Sequence, residues 1–305
     1  MSGEGDFIAL MRALATGPAA RGLMDDTAVL NRPAGPLVLT TDTLIEGVHY
    51  LPDDPPEDVA WKLAAVNLSD LAGKGAAPVG CLLNYSLSGD GAWDRAFARG
   101  LDEVLGMYAM PLLGGDTVRM PEGAPRSLTL TALGGVTGKP PARDGARPGD
   151  VLYTTGPVGD AGAGLRLLQA GSNGPAELIA AYRRPRPRMA EGRALGPLAT
   201  AMMDVSDGLL IDAQRMAAAS GVAIRIEAVP MSTALVALDG ESMDARLAAA
   251  CAGDDYELLV ALPPDTSPPG GVTTFRVGAV MAGAGLALML DGAPVPLPAT
   301  LGYEH

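Results

Sequence analysis

Apolar residues at Phe7, Ile8, Leu10, Met11 and Leu14 recur at helical spacing, and Gly17-Pro18 ends the helix they predict. The period then shortens. Ala28, Val29 and Leu30 read as a short strand, and 37–41 as a buried strand whose period of two puts Val38, Thr40 and Asp42 on one face, with the carboxylate where the strand runs out. A helix follows over 57–73, on which Leu63, Val66, Asn67 and Asp70 share a face by i, i+3 and i+4 spacing. Next come a strand over 82–87, an amphipathic helix over 93–108, and a short strand over 111–113 that delivers Gly114-Gly115-Asp116. Leu and Thr alternate from 127 to 136, the pattern of a further strand.

Residues 138–149 are rich in Pro and Gly and lack periodic apolar positions, so they divide the chain into domains of 1–138 and 139–305. The second half opens with a strand over 151–155. A glycine-rich stretch, 156–164, then leads into a helix over 165–170. Strand, glycine loop and helix form either a phosphate cradle or a close packing of helix on strand. Neither the Rossmann G-x-G-x-x-G nor the Walker A motif is present. Arg183-Arg-Pro-Arg-Pro-Arg188 reads as a solvated or subunit-facing turn. Strands are expected over 223–229, 258–262, 273–280 and 286–290, which makes the second domain α/β or α+β.

An isolated carboxylate at the edge of a core is costly unless it is paired, hydrogen-bonded or metal-bound, and Asp42 alone reads equally as the start of a turn. The grammar repeats, however. An Asp flanked by Ser, Thr or Gly beside an apolar run recurs at Asp25-Asp26-Thr27, Asn67-Leu-Ser-Asp70, Gly114-Gly-Asp-Thr117, Asp204-Val-Ser-Asp-Gly208 and Gly253-Asp-Asp255. Asp204, Ser206 and Asp207 lie around a helix start, where any one of them alone reads as an N-cap. Taken together, oxygen-only donors of this kind suit a hard cation, and Mg2+ favours a few carboxylates plus substrate phosphates. A Mg-nucleotide site is the resulting expectation.

Charge narrows the partners. The 305 residues carry 22 Lys and Arg against 35 Asp and Glu, a net −13 that argues against nucleic acid or an anionic membrane. Cys81 and Cys251 are isolated in apolar surroundings, so zinc and a disulfide scaffold are not expected. No basic leader with a hydrophobic core is visible and no apolar run reaches membrane-spanning length, so a cytoplasmic, globular protein is expected.

In order along the chain, Met24-Asp-Asp-Thr-Ala, Thr40-Thr-Asp-Thr, Gly47-Val-His-Tyr-Leu-Pro, Ala65-Val-Asn-Leu-Ser-Asp-Leu-Ala, Leu113-Gly-Gly-Asp-Thr, Asp204-Val-Ser-Asp-Gly-Leu and Asp254-Asp-Tyr-Glu-Leu resemble the thiamine-monophosphate kinase family. That family lies in the superfamily of aminoimidazole ribonucleotide synthetase. The resemblance implies ATP-dependent phosphorylation of thiamine monophosphate to thiamine diphosphate by direct in-line transfer on several Mg2+ ions. It implies metal contacts at Asp26, Thr40, Thr41, Asp42, Asp70, Asp116, Asp204 and Asp207, with Asp42, Asp70, Asp116 and Asp207 central to catalysis. ATP contacts are implied at Gly115, Asp116, Arg143 and Ser206, and substrate contacts at His49, Asp254 and Tyr303. The implied fold is an α/β N-terminal domain that dimerises through its sheet and an α+β C-terminal domain, forming a homodimer. The sequence departs from the family pattern at Met24, where a Gly is usual, and at Ala252 and Asp254, where Gly and Glu are usual. Rival readings are another ATP-using synthetase of the superfamily and a non-catalytic nucleotide-binding assembly protein. The first cysteine is Cys81, and the last residues are Gly302-Tyr-Glu-His305. Neither matches the terminal reactive cysteine that selenophosphate synthetase or the hydrogenase-maturation relative would lead one to expect.

Overall fold

A computed structural model describes residues 4–25, 27–31, 34–87 and 89–304. The chain divides into two compact units, Met1–Leu71 with Ala76–Thr137, and Ala72–Gly75 with Gly138–His305. Both are mixed α/β, and among the described residues no helix is long and apolar enough to cross a membrane.

In the first unit, helix α1 (Glu4–Leu14) and a 3-10 turn (Pro18–Leu23) precede β1 (Leu37–Ile45), α2 (Pro56–Ala72), β2 (Ala77–Leu87), α3 (Gly91–Met107), β3 (Leu112–Arg119) and β4 (Ser127–Gly135). The strands form one sheet in the order β1-β4-β2-β3, with β2 and β3 parallel and the other pairs antiparallel. Local chemistry starts the helices. Pro56 opens α2 with Glu57 and Asp58 in its first turn, and the Asp90 side chain caps α3 by accepting the N–H groups of Ala92 and Trp93 at 2.9 and 3.2 Å. On β4 the alternation sends Leu128, Leu130 and Ala132 into the core, where each is fully buried. Phe7 stacks on Tyr85 with centroids 3.8 Å apart, tying α1 to the sheet through one aromatic cluster with Phe97 and Trp93.

The strand expected over 37–41 is longer and less buried than its sequence suggests. It runs on to Ile45, so Asp42 sits within the strand, opposite Leu130, and not at its end. As an edge strand it keeps Leu37, Leu39, Thr41 and Thr43 exposed. Ala28, Val29 and Leu30 form no strand; the Val29 N–H donates to Ala19 O at 3.0 Å in the 3-10 turn, so the segment runs as coil against that turn and not in a sheet. Gly114, Gly115 and Asp116 lie inside β3, which the sheet extends well beyond its apolar start by pairing with β2.

The second unit contains β5 (Val151–Thr154), α4 (Asp160–Gln169), α5 (Ala176–Arg183), α6 (Met189–Leu195), β6 (Ala201–Val205), α7 (Leu209–Ser220), β7 (Ala223–Ile226), α8 (Thr233–Asp239) and α9 (Met243–Cys251). The strands β8 (Glu257–Leu262), β9 (Phe275–Met281), β10 (Gly285–Leu290) and β11 (Ala293–Val295) complete it. Its sheet has the order β11-β10-β7-β9-β5-β8-β6. The apolar face of α7, with Leu209, Leu210, Ala213 and Met216, joins Val205, Ile224 and Leu259 in the main core. The glycine-rich stretch settles in favour of close packing, but of helix on helix. Helix α4 begins at Asp160, and a Cβ on Gly164 would stand 2.0 Å from the Leu178 carbonyl oxygen of α5. Arg188, expected in a solvated or subunit-facing turn, instead donates its Nε to the buried Glu257 carboxylate at 2.7 Å, and Thr155 Oγ1 completes that group at 2.6 Å.

Candidate active site

The first unit gathers three of the expected residues. Thr40 and Asp42 share the half-buried face of β1, and the Thr40 hydroxyl donates to the Asp70 carboxylate on α2. Burial, and then repulsion from Asp70, pushes the Asp42 carboxyl up to about 6. Two mutually repelling carboxylates and a hydroxyl form an oxygen-only set whose charge a hard cation would neutralise, so the residues present fit Mg2+. Thr41 points to the other face of the sheet, where its hydroxyl meets Thr131 Oγ1 at 3.0 Å. Asp26 lies outside the described residues. Among those described, no three His, Cys, Asp or Glu side chains stand together as a ready cation cage.

His49 lies in the turn after β1. Its Nδ1 accepts the Ile45 N–H at 3.0 Å, so the neutral ring carries its proton on Nε2, and its carbonyl accepts from the buried Lys62 Nζ at 3.0 Å. Gly115 and Asp116 line a cavity of about 670 Å³ in this unit, together with Asp25, Thr27 and Asn84. The positive φ values of the segment leading to Asp25 fall on Arg21, Gly22 and Leu23, while Met24 has φ −108°. A side chain at 24 is therefore accommodated without strain.

The second unit gathers another set. Asp204, next to last in β6, is buried opposite Leu258, with Ser206 and Asp207 in the turn that follows the strand. None of them caps α7, whose N-cap is Gly208 with no side-chain bond. Asp212, fully buried in the first turn of α7, braces the turn instead: its Oδ2 accepts the backbone N–H groups of Ser206 and Asp207, each at 3.1 Å. Arg215 bridges the Asp207 carboxylate and Asp212 Oδ1, the latter at 2.9 Å. The Asp254 N–H donates to Ser206 O at 2.7 Å and the Tyr303 N–H to Asp207 O at 2.9 Å, so Ser206, Asp207, Asp254 and Tyr303 form one cluster. Arg143 sits apart in an exposed turn, its carbonyl accepting from Ser220 Oγ at 3.1 Å.

Residues 24–136 match the model of the AIR synthase related protein, N-terminal domain, and residues 147–268 that of its C-terminal domain. The thiamine-monophosphate kinase of Escherichia coli strain K12 is 40% identical over 302 residues, spanning 93% of this chain and 91% of the relative. The chain belongs to the thiamine-monophosphate kinase family. Among solved structures of that family, the enzyme from Stenotrophomonas maltophilia K279a has a TM-score of 0.82 at 37% identity, covering 95% of this chain and 96% of its own. AaThiL complexed with AMPPCP and TMP has a TM-score of 0.79 at 31% identity, covering 99% and 97%.

In this thiamine-monophosphate kinase family member, the roles of three further side chains are not legible in the sequence. Asp212 and Arg215 follow the Asp204 motif at helical spacing, and only their i, i+3 relationship hints at a pair. Asp255, which repeats the Asp-Gly grammar, turns inward and caps α4 through the Gly159 and Ala161 N–H groups at 2.7 and 3.4 Å. Burial holds its carboxyl well above the usual range.

Proposed function

We propose that this chain transfers the γ-phosphoryl group of ATP directly to the phosphate of thiamine monophosphate, giving thiamine diphosphate and ADP. The observation that carries the reading is likeness across both units at once, 40% identity over 93% of the chain, to thiamine-monophosphate kinase. AaThiL, a relative of near-equal extent, has been captured with AMPPCP and TMP. Phosphoryl transfer asks a protein for positioning and charge neutralisation more than for covalent chemistry. The paired Asp42 and Asp70, and the Asp204-Ser206-Asp207 turn braced by Asp212, are suited to that task.

In this reading Asp26, Thr40, Thr41, Asp42, Asp70, Asp116, Asp204 and Asp207 hold Mg2+, with Thr41 limited to its backbone by the direction of its hydroxyl. Mg2+ held by these residues would supply neutralisation of the phosphate charge. Gly115, Asp116, Arg143 and Ser206 hold ATP, with the 670 Å³ cavity beside Gly115 and Asp116 as a receptacle for part of the nucleotide. His49 offers its Nε2–H to an anionic oxygen of thiamine monophosphate, while Asp254 and Tyr303 serve its heteroaromatic rings. Neither cysteine is an activated nucleophile for a covalent route: burial pushes the Cys81 thiol up to about 12, and Cys251 donates to Thr300 O at 3.4 Å.

The open sheet face of the first unit supports a homodimer. Leu39 is 62% exposed there, flanked by the Thr41–Thr131 and Thr43–Thr129 pairs, the kind of contiguous apolar and neutral surface that takes a partner. In this reading the enzyme works in the cytoplasm, the compartment in keeping with an ATP-using reaction.

An end-point assay with ATP, Mg2+ and thiamine monophosphate tests the reaction. Thiamine diphosphate and ADP in equal amounts are expected, and failure to form thiamine diphosphate overturns the reading. Chirally labelled γ-phosphate is expected to emerge inverted; net retention, or AMP among the products, excludes direct transfer.

A further inference from the structure

The loop that carries Asp254 is held in an unusual conformation. Asp254 and Tyr256 both have left-handed backbones, with φ 69° and 52°, although neither is glycine. Such residues persist only where the surroundings over-determine them, and they concentrate at ligand-binding sites. Three anchors do so here. Asp255, between them, points into the unit and caps α4. The N–H groups of Asp254 and Tyr256 donate to Ser206 O at 2.7 Å and Val205 O at 2.8 Å, which straps the loop to the end of β6. The Tyr256 ring is only 8% exposed, and its hydroxyl donates to Asp254 Oδ1 at 3.0 Å.

The consequence is a carboxylate whose direction is set by a buried, immobile phenol. Tyr303, 46% exposed, is docked through its own backbone to Asp207, the neighbour of the Ser206 to which Asp254 is strapped. A held carboxylate and an accessible aromatic ring on neighbouring segments are chemistry for a planar amino-bearing heteroaromatic ring, whose amino N–H the carboxylate accepts and whose face the aromatic ring stacks on. We infer that Tyr256 is a specificity-determining positioning residue. It fixes Asp254 to accept a hydrogen bond from the amino group on the pyrimidine ring of thiamine monophosphate. This rests on the function proposed above and adds to it the group that selects the substrate.

The test is Tyr256→Phe, which removes one oxygen and keeps the buried ring. Steady-state kinetics are measured with thiamine monophosphate and with oxythiamine monophosphate, in which a carbonyl replaces the pyrimidine amino group. The variant is expected to raise KM for thiamine monophosphate about tenfold, as loss of a hydrogen bond to a charged group predicts, with kcat and KM for ATP changed less than twofold. Its preference for thiamine monophosphate over the oxo analogue should fall by a similar factor. A folded variant with unchanged KM and preference overturns the inference and leaves the proposed function standing. Equal loss of kcat for both substrates also overturns it, because that is the signature of general loosening. Should Tyr256→Phe fail to fold, Asp254→Asn must show the same KM and selectivity changes, and an Asp254→Asn enzyme with normal values refutes the role. A wild-type protein that leaves thiamine monophosphate untouched refutes this inference together with the function beneath it.

Discussion

A Cβ on Gly115 would lie 1.7 Å from the carbonyl oxygen of Leu83, so these two backbones meet across β3 and β2 more closely than any side chain permits. Gly115 also has φ 155°, which other residues rarely adopt. The glycine before Asp116 thus serves the sheet as well as any ligand. Gly115→Ala should destabilise the protein by roughly 3 kcal/mol or more, from backbone strain and displacement of β3. Gly106→Ala, in α3 with nothing within 4 Å, should instead stabilise by about 0.5–1 kcal/mol. Urea unfolding of the two variants decides the matter, and a mild Gly115→Ala would contradict the packing account.

Asp42 trades stability for function. Its carboxyl, pushed up to about 6 by burial and by Asp70, is costly to ionise in the cation-free protein. Asp42→Asn should raise the cation-free stability by about 1–2 kcal/mol after allowance for solvent screening. Turnover should fall by roughly two orders of magnitude or more as a metal contact is lost. Thermal unfolding and the end-point assay, run on the same preparation, test both signs; a folded variant with near-normal turnover removes Asp42 from the site.

Asp255 gives the pH dependence. Its folded-state carboxyl is held well above the usual range by burial, despite two backbone N–H bonds that lower it. The folded protein therefore binds this proton more tightly than the unfolded chain does. The contribution opposes folding increasingly as pH rises from about 4, the unfolded value, until the folded-state value is passed. Asp255→Asn keeps an acceptor for the Gly159 N–H and removes the charge. Urea unfolding between about pH 4 and pH 8 should show a flatter stability profile than wild type; parallel profiles would count against the assignment.

Dimerisation through the first unit's sheet predicts that wild type sediments at about twice the chain mass at micromolar concentration. Leu39→Arg places a charge on the exposed face of β1 without touching the core. It should give a folded monomer. A wild-type monomer, or a Leu39→Arg dimer, would show that this face is not the interface.

Much of the architecture was present in the order of residues. Alternation set which side of β4 is buried, and helical spacing placed Asp70 on the inward stripe of α2, because the periods of strand and helix are fixed by backbone geometry alone. The recurring Asp motifs, in their order, carried the family. Tertiary structure decided what each acid does. Asp42 and Asp70 become a pair only when β1 packs beside α2, and Thr41 is turned from them by the same alternation that brings Thr40 to Asp70. Asp207 and Asp255 come from the same sequence grammar. One joins the turn braced by Asp212, and the other caps α4. A carboxylate's role depends on the N–H groups, cations and other acids opposite it, and in this chain many of those come from distant segments. Local periodicity orients a side chain, whereas only the packed fold supplies its partner.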